Sequence, residues 1–191
     1  MQQTRRSLLA ASGLAAAGFI GVAGVPSTAL ADPSAREINR DVDRVLRDLY
    51  ATHAKSRELG KRAVAILVFP KIIKAGFLLG GQGGYGALRE QGKSVGYYSI
   101  AAASFGLQAG VQSFSYALFF MTPAALKYLK ESDGWAIGSG PSVVVLDKGA
   151  AASVTSTTLT QDVYAIPFGQ RGLMAGLSLE GSKITHATVT T

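Results

Sequence analysis

Between Ser94 and Leu126 the chain carries no charged side chain, yet the stretch does not have the composition of a membrane span. Gln108, Gln112 and the serines at 99, 104, 113 and 115 recur too often for a helix in hydrocarbon, and Gly96, Gly106 and Gly110 weaken any helix. Tyr97, Tyr98, Phe105, Leu107, Val111, Phe114, Tyr116 and Leu118 are instead the residue types that pack in paired, mostly buried strands. A chain with this centre must build its core around β-structure and place its charges elsewhere.

The preceding stretch supports the same architecture. Ala63 to Phe69 is a short apolar run stopped by Pro70, which suits a buried strand. Phe69 to Gly86 reads FPKIIKAGFLLGGQGGYG, with two lysines, six glycines and no acid. Its end, Gly81-Gln82-Gly83-Gly84-Tyr85-Gly86, fits the G-x-G-x-x-G spacing of dinucleotide sites. Such a site needs a helix next, but the chain runs into the turn Glu90-Gln91-Gly92-Lys93, with no acid between 90 and 131 to hold a ribose. Glycine at this density is better explained by a bulged or bent strand, or by close backbone contact with another element.

After this region Thr122-Pro123 caps a helix through Lys130, and Asp133-Gly134 ends it. The rest reads as short strands and turns. Trp135 to Gly138, Val143 to Leu146 and Ser153 to Thr160 are strand-like, and Asp147-Lys148-Gly149 is a turn. Tyr164, Ile166 and Phe168 alternate before Gly169 to Gly172 turns the chain into Leu173 to Leu179.

The N-terminal side is helical. Ser34-Ala35-Arg36-Glu37 is a capping box. From there Ile38, Val42, Val45, Leu46 and Leu49 share one helix face, while Arg36, Arg40, Arg44 and Arg47 lie nearly opposite. A helix lying in a membrane interface usually carries its cations along the margins of its polar face, so this opposition favours docking on the domain with the arginines outward, either solvated or meeting an anionic membrane. Ser56 to Arg62 is polar and interrupted by Gly60, where the helix is expected to end or re-form as a short turn. Lys61, Arg62, Lys71 and Lys74 then make the strongest local basic window, with Glu58 and Glu90 the nearest acids along the chain.

Residues 1–31 have the three parts of an export signal: Arg5 and Arg6, an uncharged Ala- and Gly-rich middle, and Ala29-Leu30-Ala31 as the cleavage site. Thr4 to Leu9 also resembles the twin-arginine signal. The expected mature chain, 32–191, keeps 17 basic and 12 acidic residues, a net charge of +5 that favours anionic partners. It divides into a helical segment, 32–62, and a β-rich core, 63–191, in one domain. The absence of cysteine excludes disulfides, thiolate metal sites and N-terminal Cys lipidation, so any membrane attachment is peripheral.

No catalytic constellation is visible. His53 and His186 lack ligand spacing, and Gly176 to Gly181 misses the nucleophile elbow because Glu180 stands where glycine is needed. Glu131 and Asp133 have no visible acid-base partner. Cations and aromatics are not interleaved as a nucleic-acid platform requires, which argues against nucleic acid as the partner.

Three separated stretches resemble the SYLF domain family. They are Phe69-Pro70-Lys71 with Lys74 to Phe77, Ala103 to Gly110, and Gly172-Leu173 with Ala175 to Gly181. The resemblance implies a lipid-binding module, since eukaryotic members bind phosphoinositides with help from a basic N-terminal amphipathic helix. Arg36, Arg40, Arg44, Arg47, Lys61, Arg62, Lys71 and Lys74 are then the lipid-binding candidates. Fungal relatives also bind actin, which an exported bacterial protein does not meet in its own cell. Val143 to Gly149 lacks the Gly-Pro-x-Gly-Arg pattern of many eukaryotic relatives, which shifts the expected ligand from phosphoinositides to anionic phospholipids in general.

The combined expectation is an α+β fold in one domain. An N-terminal amphipathic helix and a second short helix pack on a curved, largely antiparallel sheet, either open or closed into a barrel. The protein is expected to be exported, periplasmic or secreted, and to bind anionic phospholipid headgroups without catalysis, cofactor or metal. The alternative is an envelope protein whose basic surface meets a protein or polyanion.

Overall fold

Ser34 opens the first helix, α1 (Ala35–Thr52), as its sequence requires. Its hydroxyl accepts the Glu37 amide at 3.3 Å and the Glu37 carboxylate accepts the Ser34 amide at 3.0 Å. The Ser34 amide first, and then the Ser34 hydroxyl, which also donates to the Glu37 carboxylate at 3.0 Å, hold the Glu37 carboxyl below the usual range. The computed structural model describes residues 33–146, 160–172 and 181–190, and for residues 54, 77–79, 104–109 and 172 the backbone alone. The expected turn at Asp147-Lys148-Gly149, the strand at Ser153 to Thr160 and the segment Leu173 to Leu179 lie outside these residues or fall almost wholly outside them.

The apolar stripe of α1 buries Ile38, Val42, Val45 and Leu49 against Val68, Ala87, Ala117, Phe119, Tyr164, Ile166 and Phe168. Each buried aliphatic side chain contributes at most about 2 kcal/mol, so this docking outweighs the helix's own propensity. The chain does not stop at Gly60: α2 (Ala54–Arg62) runs through it. There the glycine lies against α1: a Cβ would come within 2.5 Å of the Tyr50 Oη and would make that ring shift. Ser56 fixes the junction by donating to the carbonyls of His53 at 2.6 Å and Leu49 at 3.2 Å.

Two long strands form the framework, β1 (Ala65–Glu90) and β2 (Lys93–Phe120). They join at Gln91-Gly92, both at positive φ (50° and 80°), the backbone that a tight two-residue hairpin demands. At ~3.3 Å per residue a straight strand of 26 residues would span roughly 85 Å, far beyond a domain of this size, so the ribbon must fold back. Gly84 and Gly86 permit it: a Cβ on Gly84 would run into the Lys71 carbonyl oxygen, and one on Gly86 into the Val68 carbonyl oxygen. The two halves of β1 thus touch backbone to backbone, and the sheet curls on itself.

Pro70 does not end the first strand. It sits at a bulge, where the register slips between Phe69/Tyr116 and Ile72/Phe114, and among the described residues β1 pairs only with β2, so there the missing amide breaks no ladder. Ser115 Oγ instead donates to the Pro70 carbonyl at 2.7 Å. The uncharged stretch correspondingly forms one continuous strand rather than several.

Beyond the hairpin come α3 (Pro123–Glu131), β3 (Trp135–Ala136), β4 (Val143–Val145), β5 (Val163–Gly172) and β6 (Lys183–His186). Thr122 caps α3 by accepting the Ala125 amide at 3.2 Å. Along its other edge β2 pairs with β6 at 98–101 and with β5 at 112–120; β3 extends from β6 and β4 runs parallel to β5, while all other pairings are antiparallel. The six strands among the described residues make an open, curled half-barrel and not a closed barrel. The expected turn from Gly169 to Gly172 is instead the end of β5: Gly169, at φ 64°, lies at a bulge between Ser113/Arg171 and Ser115/Phe168. The fold is α+β, with α1 on one face of the sheet. The other face packs Phe69, Tyr98, Tyr116, Phe120 and Trp135 with Ala125 and Leu129 of α3.

Candidate functional site

The outer side of α1 follows from its docking. With Ile38, Val42, Val45 and Leu49 inward, Arg36, Arg40, Arg44 and Arg47 are all exposed. Asp41 draws in two of them, Arg44 at 2.9 Å and Arg40 at 3.9 Å. Glu37, Asp41, Asp43 and Asp48 equal the four arginines in number, so α1 has no net charge, and its positive character is confined to the side on which the guanidinium groups gather. Helix electrostatics does not account for these residues: Arg36 lies in the first turn, where the helix dipole opposes a cation, and no basic residue occupies the last turn.

Lys61 and Arg62 differ in this respect. Both are exposed in the last turn of α2, where the dipole favours cations, so local structure gives them a reason of its own. Lys61 lines a groove of about 680 Å³ with Asp43, Leu46 and Tyr50 of α1, the start of β1 and the hairpin turn. Lys71 and Lys74 do not share a face. Lys71 is exposed beside fully buried Ile72, whereas Lys74, two residues after Ile72, is half-buried and pairs in register with Gln112, which is 3% exposed. The basic window that is continuous in sequence is therefore divided in space.

Sequence reasoning missed Arg89. Its guanidinium forms an ion pair with Asp43 and donates to the Gly92 carbonyl at 2.8 Å, tying α1 to the hairpin. Only 13% of its side chain is exposed, which makes it a structural cation rather than one presented to a partner. Lys130 pairs with Glu90 at 2.5 Å and links α3 to the same hairpin. Arg171 was also missed; it is exposed on β5, opposite Ser113. The sequence shows these residues, but nothing local indicates what each faces.

The aromatic hydroxyls of the inner face are held neutral: burial pushes the pKa of Tyr116 to about 12, and burial followed by the Glu90 charge does the same for Tyr98. Among the described residues no cluster of His, Cys, Asp or Glu could hold a metal ion. None of their helices is long and apolar enough to cross a membrane. His186 lies at the surface, with a ring nitrogen 3.1 Å from the Lys130 carbonyl and its ring 4.6 Å from Tyr98.

Residues 101–190 match the family model Ysc84, described as a Las17-binding protein actin regulator, which is the SYLF domain family. The match runs from the middle of β2 past β6, and so covers two of the three stretches that carry the resemblance in sequence. No curated protein matches the chain.

Proposed function

With residues 101–190 a SYLF-family domain as the premise, we propose that the protein is an exported, non-catalytic binder of anionic phospholipid headgroups, attached to the membrane surface from outside. The observation that carries this reading is the arginine stripe of α1, four exposed guanidinium groups opposite the docked face, two of them paired with Asp41. Guanidinium groups suit phosphate because they present paired donors in a plane. Near an anionic bilayer each contributes about 1 kcal/mol, roughly 4 in all and strongly dependent on salt. The family description names a protein partner, which supports a second reading in which the same surface meets a protein of the envelope.

Co-sedimentation of the purified protein with phosphatidylcholine vesicles, with and without anionic lipid, at low and physiological salt, tests the proposal. Binding is expected only with anionic lipid and should weaken with salt. Arg36→Glu with Arg47→Glu should lower affinity at least 30-fold, the equivalent of about 2 kcal/mol. A wild type that stays in the supernatant with every vesicle refutes the proposal and turns the search to a protein partner.

A further inference from the structure

The ribbon formed by β1 and β2 exposes apolar side chains where it folds back. Val111 is 65% exposed and Ile73 41% exposed, and Ala75 is exposed beside them. Register puts them on one face: Ala75 pairs with Val111, Ile73 with Ser113, and Ser113 in turn with Arg171. Along β2 the alternation 111, 113, 115, 117, 119 continues this face directly into Ala117 and Phe119, which α1 covers. The exposed patch is thus the uncovered extension of the face that carries α1. Among the described residues its flanking charges have one sign, with Lys71 and Arg171 exposed and no acid in the sequence between Glu58 and Glu90 or between Glu90 and Glu131.

Exposed β-branched side chains flanked by the cations Lys71 and Arg171 fit an interface that offers anionic headgroups above an apolar layer. Resting on the membrane reading above, we propose that this ribbon inserts into the bilayer: Ile73, Ala75 and Val111 enter the boundary between headgroups and acyl chains while Lys71 and Arg171 bind phosphates. The occupant is an anionic phospholipid bilayer, chosen on charge complementarity, and α1 supplies a second contact from the same face of the sheet. Binding then has an apolar component that persists at salt concentrations which screen the arginines.

The cysteine-free sequence makes the test direct. Val111→Cys, nearly isosteric at an exposed position, carries an environment-sensitive fluorophore; Asp133→Cys, exposed beyond α3 on the side that packs the other face of the sheet, carries it as reference. With vesicles of phosphatidylcholine and phosphatidylglycerol, the probe at 111 should shift to the blue and be quenched by brominated acyl chains, while the probe at 133 should do neither. Val111→Asp should lower vesicle affinity about tenfold, and thermal melts of all variants should match the wild type. Vesicle binding with the probe at 111 still in water overturns insertion and leaves the headgroup reading standing. No vesicle binding by the wild type overturns both. A blue shift that grows with protein concentration in the absence of vesicles overturns insertion in favour of contact between two copies of the chain.

Discussion

Within Gly81-Gln82-Gly83-Gly84-Tyr85-Gly86 the structure separates two kinds of glycine, and alanine substitution should expose the difference. At Gly86 a new Cβ would collide with the Val68 carbonyl oxygen, lie 2.7 Å from Phe69 Cδ1 and reach Val68 C at 3.0 Å. Val68 and Phe69 are fully buried backbone and core, so neither can move aside cheaply. Overpacking of this kind costs about 3 kcal/mol. The smaller entropy of the unfolded chain returns about 0.5–1 kcal/mol, so Gly86→Ala should destabilise by roughly 2 kcal/mol and lower Tm by about 5–8 °C. At Gly83 the nearest atom to a new Cβ is the Ile100 carbonyl oxygen at 3.6 Å, an ordinary contact, so only the entropic gain applies there. Gly83→Ala should therefore be neutral or slightly stabilising, within about 1 kcal/mol. Urea unfolding followed by circular dichroism measures both. Equal midpoint shifts for the two variants would refute the claim that close approach of the two halves of β1, rather than glycine's general effect on strands, explains the pattern.

Asp162 accepts from the Ser142 amide at 3.1 Å, the Ser142 hydroxyl at 2.9 Å and the Thr122 hydroxyl at 3.3 Å, and these bonds, the Ser142 backbone first, hold its pKa below the usual value. Its contribution is present above the unfolded-state value and disappears as pH falls through the lowered one, so Asp162→Asn should flatten the acid limb of a Tm-versus-pH profile. Tyr98 and Tyr116 shift the other way, to about 12, which makes the folded state hold protons that the unfolded state releases above about 10. Stability should therefore fall between pH 10 and 12, and the part of the phenolate absorbance that is lost in Tyr98→Phe and Tyr116→Phe should appear together with loss of circular dichroism; its appearance well before unfolding would contradict their burial. A double-mutant cycle of Asp43→Ala and Arg89→Ala should give a coupling of about 1 kcal/mol, since Arg89 is largely covered while Asp43 is half-exposed. Ser34→Ala should cost about 1 kcal/mol in urea unfolding through loss of the capping box, with no change in the β-sheet signal.

The elements legible in the sequence are those whose signals are local. The Ser34 capping box and the stripe from Ile38 to Leu49 define α1, Thr122-Pro123 defines the start of α3, and Gln91-Gly92 marks the hairpin. Each depends on residues within one or two turns, so chemistry and spacing suffice. The SYLF resemblance was equally legible, because it rests on residue order alone. The arginine stripe too was readable as a stripe, and its outward direction followed from the apolar stripe opposite.

Only the tertiary structure decided what faces what. Pro70 looked like a stop because a proline breaks an internal ladder, but it stands at a bulge on a strand with one neighbour among the described residues. Gly60 looked like a break because its local propensity is poor, yet α2 runs through it and packs it against the Tyr50 ring. β6 has no strong pattern of its own and exists because β2 and β3 offer it partners. Lys71 and Lys74 made one basic window in sequence and separate across a strand, while Val111 looked like core and emerges with Ile73 on an exposed face. Periodicity shows that a residue has a face; which faces are covered depends on pairings dozens of residues apart, and those are set when the long ribbon doubles back.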